Sequence, residues 1–304
     1  MRLAQYFVSA ALAVLACAHA GAQEQLPPAV AEATAAVRTV KLSFSELGQG
    51  PMELRGVQAS SGIDLGTRLD EVIVGAKLRL RLTYSPALLP DLSHLRVSLN
   101  GQVLAAVALP KEQAGREVER EVVLDPRYFS DYNQIRFDLI GHYTLECEDP
   151  QHSSLWLTLS PRSELELAVR PLQLRNELAL LPAPFFDRRD NRRLTLPVVL
   201  PNRSALALLR SVGVAASWFG MLADYRSARF PVSFDVLPQQ HALVFATNNA
   251  RPATLQLPAV QKPTISIIDH PEAPNLKLLV FQGQDEVQLQ QAVEGLVLGN
   301  PVLT

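Results

Sequence analysis

The chain has 304 residues, 48% apolar and 19% charged, with a net charge of −2. That length accommodates two domains, and the apolar share supports packed cores and excludes a disordered chain. The near-neutral balance offers no global basic field for nucleic acid, so no such partner is expected.

The N-terminus reads MRLAQYFVSAALAVLACAHAGAQ. Arg2 precedes an apolar core from Leu3 to Ala18, and A-x-A sites follow at Ala18-His19-Ala20 and Ala20-Gly21-Ala22. This is the pattern of a Sec-type signal peptide over residues 1–22. It is short for a membrane span, which needs roughly 20 apolar residues. A competing reading takes Val14-Leu15-Ala16-Cys17 as a lipoprotein box with Cys17 lipidated. No later stretch reads as a transmembrane helix, so the mature chain is expected to be exported and soluble. Cleavage leaves Cys147 as the single cysteine. It is expected to be either buried and inert or paired with another chain.

Residues 23–36 are small, polar and proline-bearing, as in a flexible leader. From Val37 the hydrophobic period becomes two. In AKLRLRLTYS, Leu78, Leu80 and Leu82 share one face while Lys77, Arg79 and Arg81 share the other. In LRVSLNGQVLAAVAL, Asn100-Gly101 separates two strand-like runs, a strong hairpin signal. REVEREVVL, NQIRFDLIG, SLWLTLS and ELELAVRP continue the series. Many short strands joined by turns predict a β-sandwich over residues 37–170.

Residues 171–193 (PLQLRNELALLPAPFFDRRDNRR) read as an interdomain linker with an exposed Phe185-Phe186 pair and a solvated charge run. From residue 194 to 300 the pattern becomes α/β. LTLPVVLP reads as a buried strand, and NRSALALLRSVGVAASWFGMLADYRS as a helix capped by Asn202 or Ser204. Trp218 falls mid-helix beside Phe219 and Met221 and is expected in the core. FPVSFDVLP, HALVFATN, PTISIID and LKLLVFQG are further strands. DEVQLQQAVEGLVLG is a helix with acids in its first turn and Gly299 at its end. Together these predict a small, open, doubly wound α/β sheet. The chain stops at Thr304, five residues beyond Gly299, which reads as a truncated product or fragment.

The α/β half has neither G-x-x-x-x-G-K-[ST] nor G-x-G-x-x-G, so no nucleotide or flavin cofactor is expected. G-x-S-x-G is absent as well. Asp269-His270 has no nucleophile motif to serve and reads as turn chemistry. RRDNRR holds two R-x-x-x-R pairs, Arg188 with Arg192 and Arg189 with Arg193, the spacing found in cyclic-dinucleotide receptors. The companion [DN]-x-[SA]-x-x-G would fall at Asn202–Ala207, where alanine replaces the glycine.

The chemically richest stretch is GHYTLECEDPQHSSLW, residues 141–156. A zinc site built on His142, Cys147 and His152 lacks paired ligand spacing, so no metal is expected. Glu146, Glu148 and Asp149 supply carboxylates for glycosidase chemistry, but a solvated acidic loop is the favoured reading. Tyr128, Phe129, Tyr132, Tyr143 and Trp156 supply aromatic faces at the end of the sandwich. Sugars stack their C–H faces on such rings and direct hydroxyls to nearby polar groups. Tyr143, after Gly141 at a strand exit, is the leading carbohydrate-binding candidate, with Trp156 and Asp149 beside it. For Trp156, a core position competes closely with a ligand role. No residue is assigned as catalytic.

HYTLECEDPQHSSLWLTLSPRSELEL, LALLPAPFFDRRDNRRLTLPVVLP, GVAASWFGMLADYRSARFPV and HALVFATN together closely resemble the periplasmic B subunit of bacterial cellulose synthase. That family is also labelled cyclic di-GMP-binding protein. The resemblance covers nearly all of the chain after the signal peptide. It implies a jelly-roll-like, carbohydrate-binding-like sandwich followed by a flavodoxin-like domain, then a second such pair and a C-terminal membrane anchor. This chain holds one pair only. The implied partners are the catalytic subunit of cellulose synthase in the inner membrane and the emerging β-glucan chain. The implied role is non-catalytic, because glycosyl transfer belongs to the catalytic partner. A periplasmic glycan-modifying enzyme and a scaffold that binds no sugar are the alternatives.

Overall fold

The computed structural model describes residues 36–202 and 205–299. The signal peptide, Cys17, the leader up to residue 35, Ser204 and Thr304 lie outside the described residues.

The first half is a sandwich of ten strands. They are β1 (Arg38–Ser43), β2 (Met52–Arg55), β3 (Gln58–Gly66), β4 (Glu71–Tyr84) and β5 (His94–Leu99), followed by β6 (Gln102–Ala108), β7 (Val118–Leu124), β8 (Tyr132–Ile140), β9 (Trp156–Leu159) and β10 (Glu164–Pro171). One sheet runs β1-β10-β4-β9-β2, with β7 also on β4, and the other runs β3-β8-β5-β6. Every pairing within these two sheets is antiparallel. The alternation read in the sequence sets the faces. Leu78, Leu80 and Leu82 are buried in one continuous core with Ile135, Phe137 and Leu139 of the opposite sheet. Burying each such side chain contributes about 1.5–3 kcal/mol. On the outer face, Lys77 and Arg79 meet Glu121 and Glu166 in exposed ion pairs, which add little stability.

The β5–β6 hairpin turns where Asn100-Gly101 predicts it. Both residues have positive φ, 51° and 82°, as a two-residue primed turn requires. Strands β2 and β3 were not anticipated. β3 reads QASSGIDLG, whose serines and glycine blur the apolar alternation. It is a strand because β8 pairs with it along its whole length, Gln58↔Ile140 to Gly66↔Tyr132.

The second half comprises β11 (Leu194–Thr195), β12 (Val198–Leu200), α1 (Ala205–Ala223), β13 (Ala228–Arg229), β14 (Val232–Phe234) and β15 (Ala242–Thr247), then β16 (Thr264–His270), β17 (Ala273–Gly283) and α2 (Glu286–Val297). A five-stranded sheet runs β14-β12-β15-β17-β16. It is parallel except for β16, which lies antiparallel on β17. The apolar run LTLPVVLP divides at Pro197 into β11, which pairs with β13, and β12. Asp285 caps α2, its carboxylate accepting from the Gln288 N–H at 2.9 Å.

Three expectations for this half change. The sheet is not doubly wound among the described residues, because both helices cover one face. Leu208, Phe219, Leu289 and Val293 share a core with Leu243, Phe245 and Phe281. The other face, carrying Val199, Val244 and Val280, is closed by Leu255 and Leu257 from the segment after β15. Second, the helix Leu206–Arg226 is long and apolar enough to cross a membrane by length and composition. Its Leu208, Val212, Ala215 and Phe219 are buried against the sheet. Third, Trp218 packs at the edge of that core, edge-on to Phe219, but Met221 is exposed.

Candidate functional site

Loop 141–155 connects β8 to β9 and is organised by its own polar groups. Glu148 accepts from the Tyr143 backbone N–H at 2.9 Å and bonds His142 Nδ1 at 2.8 Å. These contacts, the Tyr143 N–H first, hold its carboxyl below the usual range. The Tyr143 hydroxyl accepts from the Asp149 N–H at 3.1 Å. Its ring stacks on His152, centroids 4.3 Å apart, and packs against the sandwich core. Tyr143 thus holds the loop in shape with both its ring and its hydroxyl.

Of the three expected sugar-binding residues, the structure brings Tyr143 and Asp149 together. Asp149 is exposed, and its Oδ1 accepts from the Gln151 N–H at 3.0 Å. Trp156 takes part in neither the bond nor the stack. It opens β9 opposite Arg55, and the buried positions of that strand are Leu157 and Leu159. Its half-buried ring therefore lies on the outer side of the sheet, which removes the core reading. Cys147 is exposed, which removes the buried alternative for the thiol. One ring nitrogen of each loop histidine is engaged, His142 Nδ1 on Glu148 and His152 Nδ1 accepting from the Ser154 N–H.

The aromatic cluster expected at one end of the sandwich is split between two ends. Tyr128, Phe129 and Tyr132 precede or open β8, whereas Tyr143 follows its other end. Nine residues at about 3.3 Å each place roughly 30 Å between those ends.

A second polar assembly joins the sandwich to the α/β half. The Phe185-Phe186 pair expected to be exposed is buried, each side chain 2% accessible, in the core beneath the helices. Arg226 lies over the Phe186 ring. The charge run that follows is not a solvated linker. Arg189 pairs with Asp187 and Asp131, and Arg192 with Asp190 and Glu71. Arg188 and Arg193 remain exposed. Each R-x-x-x-R pair therefore has one guanidinium already committed to carboxylates.

At the centre of this assembly Arg68 donates to both oxygens of Asp70, at 2.8 and 2.9 Å, to Asp190 at 3.1 Å and to the Pro184 carbonyl at 2.7 Å. His241 Nδ1 accepts from the Lys277 N–H, so Nε2 carries the proton and donates to Asp70 at 2.9 Å. Burial pushes the Asp70 carboxyl up, but His241 and Arg68 outweigh it and hold the group far below its ordinary value. Burial likewise opposes the charge on Arg68, and Asp70, Asp190 and Glu71 more than restore it. Asp269, proposed with His270 as turn chemistry, pairs with the buried Lys277, while His270 Nδ1 accepts from the Glu272 N–H. A third group also escaped sequence reading. Asp138 on the outer side of β8 is buried beneath Arg96 and Arg136 and accepts from Ser60. The partners of Arg68 and Asp138 lie up to 122 residues away, so no local motif announces them.

The architecture is therefore of one class: an antiparallel sandwich locked by buried ion pairs to a mixed α/β sheet. Residues 37–171 match the family described as cellulose synthase BcsB, first CBM domain, and residues 177–304 match its first FD domain. The chain belongs to the cellulose synthase BcsB family. A cyclic di-GMP-binding protein of Xanthomonas axonopodis pv. citri is 46% identical over 255 residues, covering 82% of this chain and 32% of the relative. A protein of the same name from Salmonella typhi is 43% identical, covering 90% of this chain and 36% of the relative. The chain thus spans about a third of the length of these relatives. Among solved structures, the xylan-binding module CBM15 aligns with 44% of the chain and 97% of its own length, at 8% identity and a TM-score of 0.28.

Proposed function

We propose that this chain is the exported, non-catalytic part of a cellulose synthase accessory subunit that contacts nascent β-glucan and supports the membrane catalytic subunit. The observation that carries the reading is the ordered match of both halves, first CBM then first FD domain, to one cellulose synthase family. In this reading the sandwich is jelly-roll-like and the α/β half is flavodoxin-like. The junction around Arg68 and Asp70 supports a fixed presentation of the sandwich to the glucan. Trp156 and Asp149 offer free surface to a sugar, and Tyr143 positions the loop between them. The relatives' name speaks of cyclic di-GMP; in this chain the arginines at R-x-x-x-R spacing are half committed, so the proposal includes no nucleotide. Export through residues 1–22 belongs to the same proposal.

The test is a calorimetric titration of the purified protein with cellohexaose, with product analysis after prolonged incubation. Saturable binding with the hexaose intact supports the accessory role. Cleavage or deacetylation of glycan would replace it with an enzyme, and absence of binding would leave a scaffold.

A further inference from the structure

We propose a second glycan-contact surface at the opposite end of β8, in which Tyr128 and Tyr132 take the C–H faces of β-linked pyranose rings. The inference rests on the glucan reading above and extends it to a separate place on the sandwich. Tyr132 is 69% and Tyr128 41% accessible, although each carries a large apolar ring. Tyr143, by contrast, has its ring and hydroxyl occupied.

The loop that displays these rings is unusually well fixed. Asn133 is only 3% accessible. Its Oδ1 accepts from the Ser130 N–H at 2.7 Å and from Asn100 Nδ2 at 3.0 Å. Its Nδ2 donates to the Ser130 carbonyl at 2.8 Å and to Thr67 Oγ1 at 3.1 Å. Asn100 Nδ2 also reaches the Tyr128 carbonyl at 2.8 Å. Asp125 caps the turn Pro126–Tyr128 through the Arg127 N–H. A buried amide that ties together three loops leaves the backbone under both tyrosines little freedom to lose on binding.

The charges nearby select the ligand class. Arg127 is paired with Asp125, and Arg189 with Asp131 and Asp187. An anionic polymer needs uncompensated cations, and the two guanidinium groups that adjoin these tyrosines, Arg127 and Arg189, are both paired. A neutral ring with an apolar face and a hydroxyl edge fits better. The exposed Asp131 carboxylate and the Tyr hydroxyls supply acceptors and donors for such an edge.

The experiment titrates cellohexaose into the full chain, its Tyr128→Ala/Tyr132→Ala double variant, the Tyr128→Phe/Tyr132→Phe variant and Trp156→Ala. Circular dichroism and sedimentation accompany each titration. Because both rings are exposed, the alanine variant keeps its fold and melting profile. Its affinity falls about tenfold or more, whereas the phenylalanine variant, which keeps the stacking faces, stays within about threefold of the parent. An alanine double variant that binds like the parent while Trp156→Ala loses affinity overturns this surface and leaves the first reading intact. No binding by the parent overturns both. A changed sedimentation coefficient with unchanged sugar binding overturns it too, and makes the tyrosines a protein contact.

Discussion

Replacing Asp70 with Asn tests whether buried charge holds the two halves together. The side chain keeps its size but loses its charge, and an amide oxygen remains as the single acceptor where two oxygens served. Asp70 takes two bonds from Arg68 and one from His241 with its side chain 7% accessible. Removing one partner of a buried pair costs about 3–5 kcal/mol when the other charge is stranded. Arg68 is not stranded, because Asp190, Glu71 and the Pro184 carbonyl still accept from it or face it. The remaining loss is one or two charge-assisted bonds at about 1.5–3 kcal/mol each, partly offset by the amide. The expected destabilisation is about 2–4 kcal/mol. The two tryptophans report it separately, since Trp156 lies in the sandwich and Trp218 in α1. In urea, single-tryptophan versions of the parent should give coincident transitions. The Asp70→Asn chain should show the Trp218 transition shifted to lower urea, apart from that of Trp156. A change below about 0.5 kcal/mol with coincident transitions, the range of ordinary surface substitutions, would refute the argument.

The same junction makes two further outcomes testable, and the loop with the strand that follows it two more. Gly66→Ala should destabilise by about 1–3 kcal/mol or more, since an added Cβ would stand 2.0 Å from the Arg189 carbonyl oxygen, in backbone that cannot swing aside; urea midpoints check this. Asp70, Asp187 and Asp190 are all held below the ordinary carboxylate range. Their contribution is therefore complete above the unfolded value of about 4 and is lost as pH falls through the folded values. Urea midpoints should be level between pH 7 and 5 and drop by pH 3, with a smaller drop in Asp70→Asn. In the loop, Tyr143→Phe removes the acceptor for the Asp149 N–H and should speed hydrogen exchange there by an amount equivalent to about 0.5–1.5 kcal/mol. Trp156→Ala should weaken cellohexaose binding by about 1–3 kcal/mol, more than Tyr143→Phe does, as judged by calorimetry.

What could be read from sequence was whatever short-range geometry controls. Alternation at β4 places Leu78, Leu80 and Leu82 on one side whatever the partner strand, because successive side chains point to opposite faces. Asn100-Gly101 and Asp285 act through their own backbone neighbours, so the hairpin and the α2 start were legible locally. The family resemblance was legible too, carried by long contiguous segments. Partnership across the chain could not be read. β3 is a strand because β8 lies beside it, not because QASSGIDLG favours one. The charge run at 188–193 looks solvated until Glu71 and Asp131 arrive from the sandwich, and Phe185-Phe186 looks exposed until α1 and its sheet close over it. The aromatic residues near 128–156 form one cluster in sequence and two in space, because β8 is an extended strand that carries its ends roughly 30 Å apart. Periodicity and turn chemistry are local energies written in neighbouring residues; burial and charge pairing depend on which distant segments meet, and only the tertiary structure decided that.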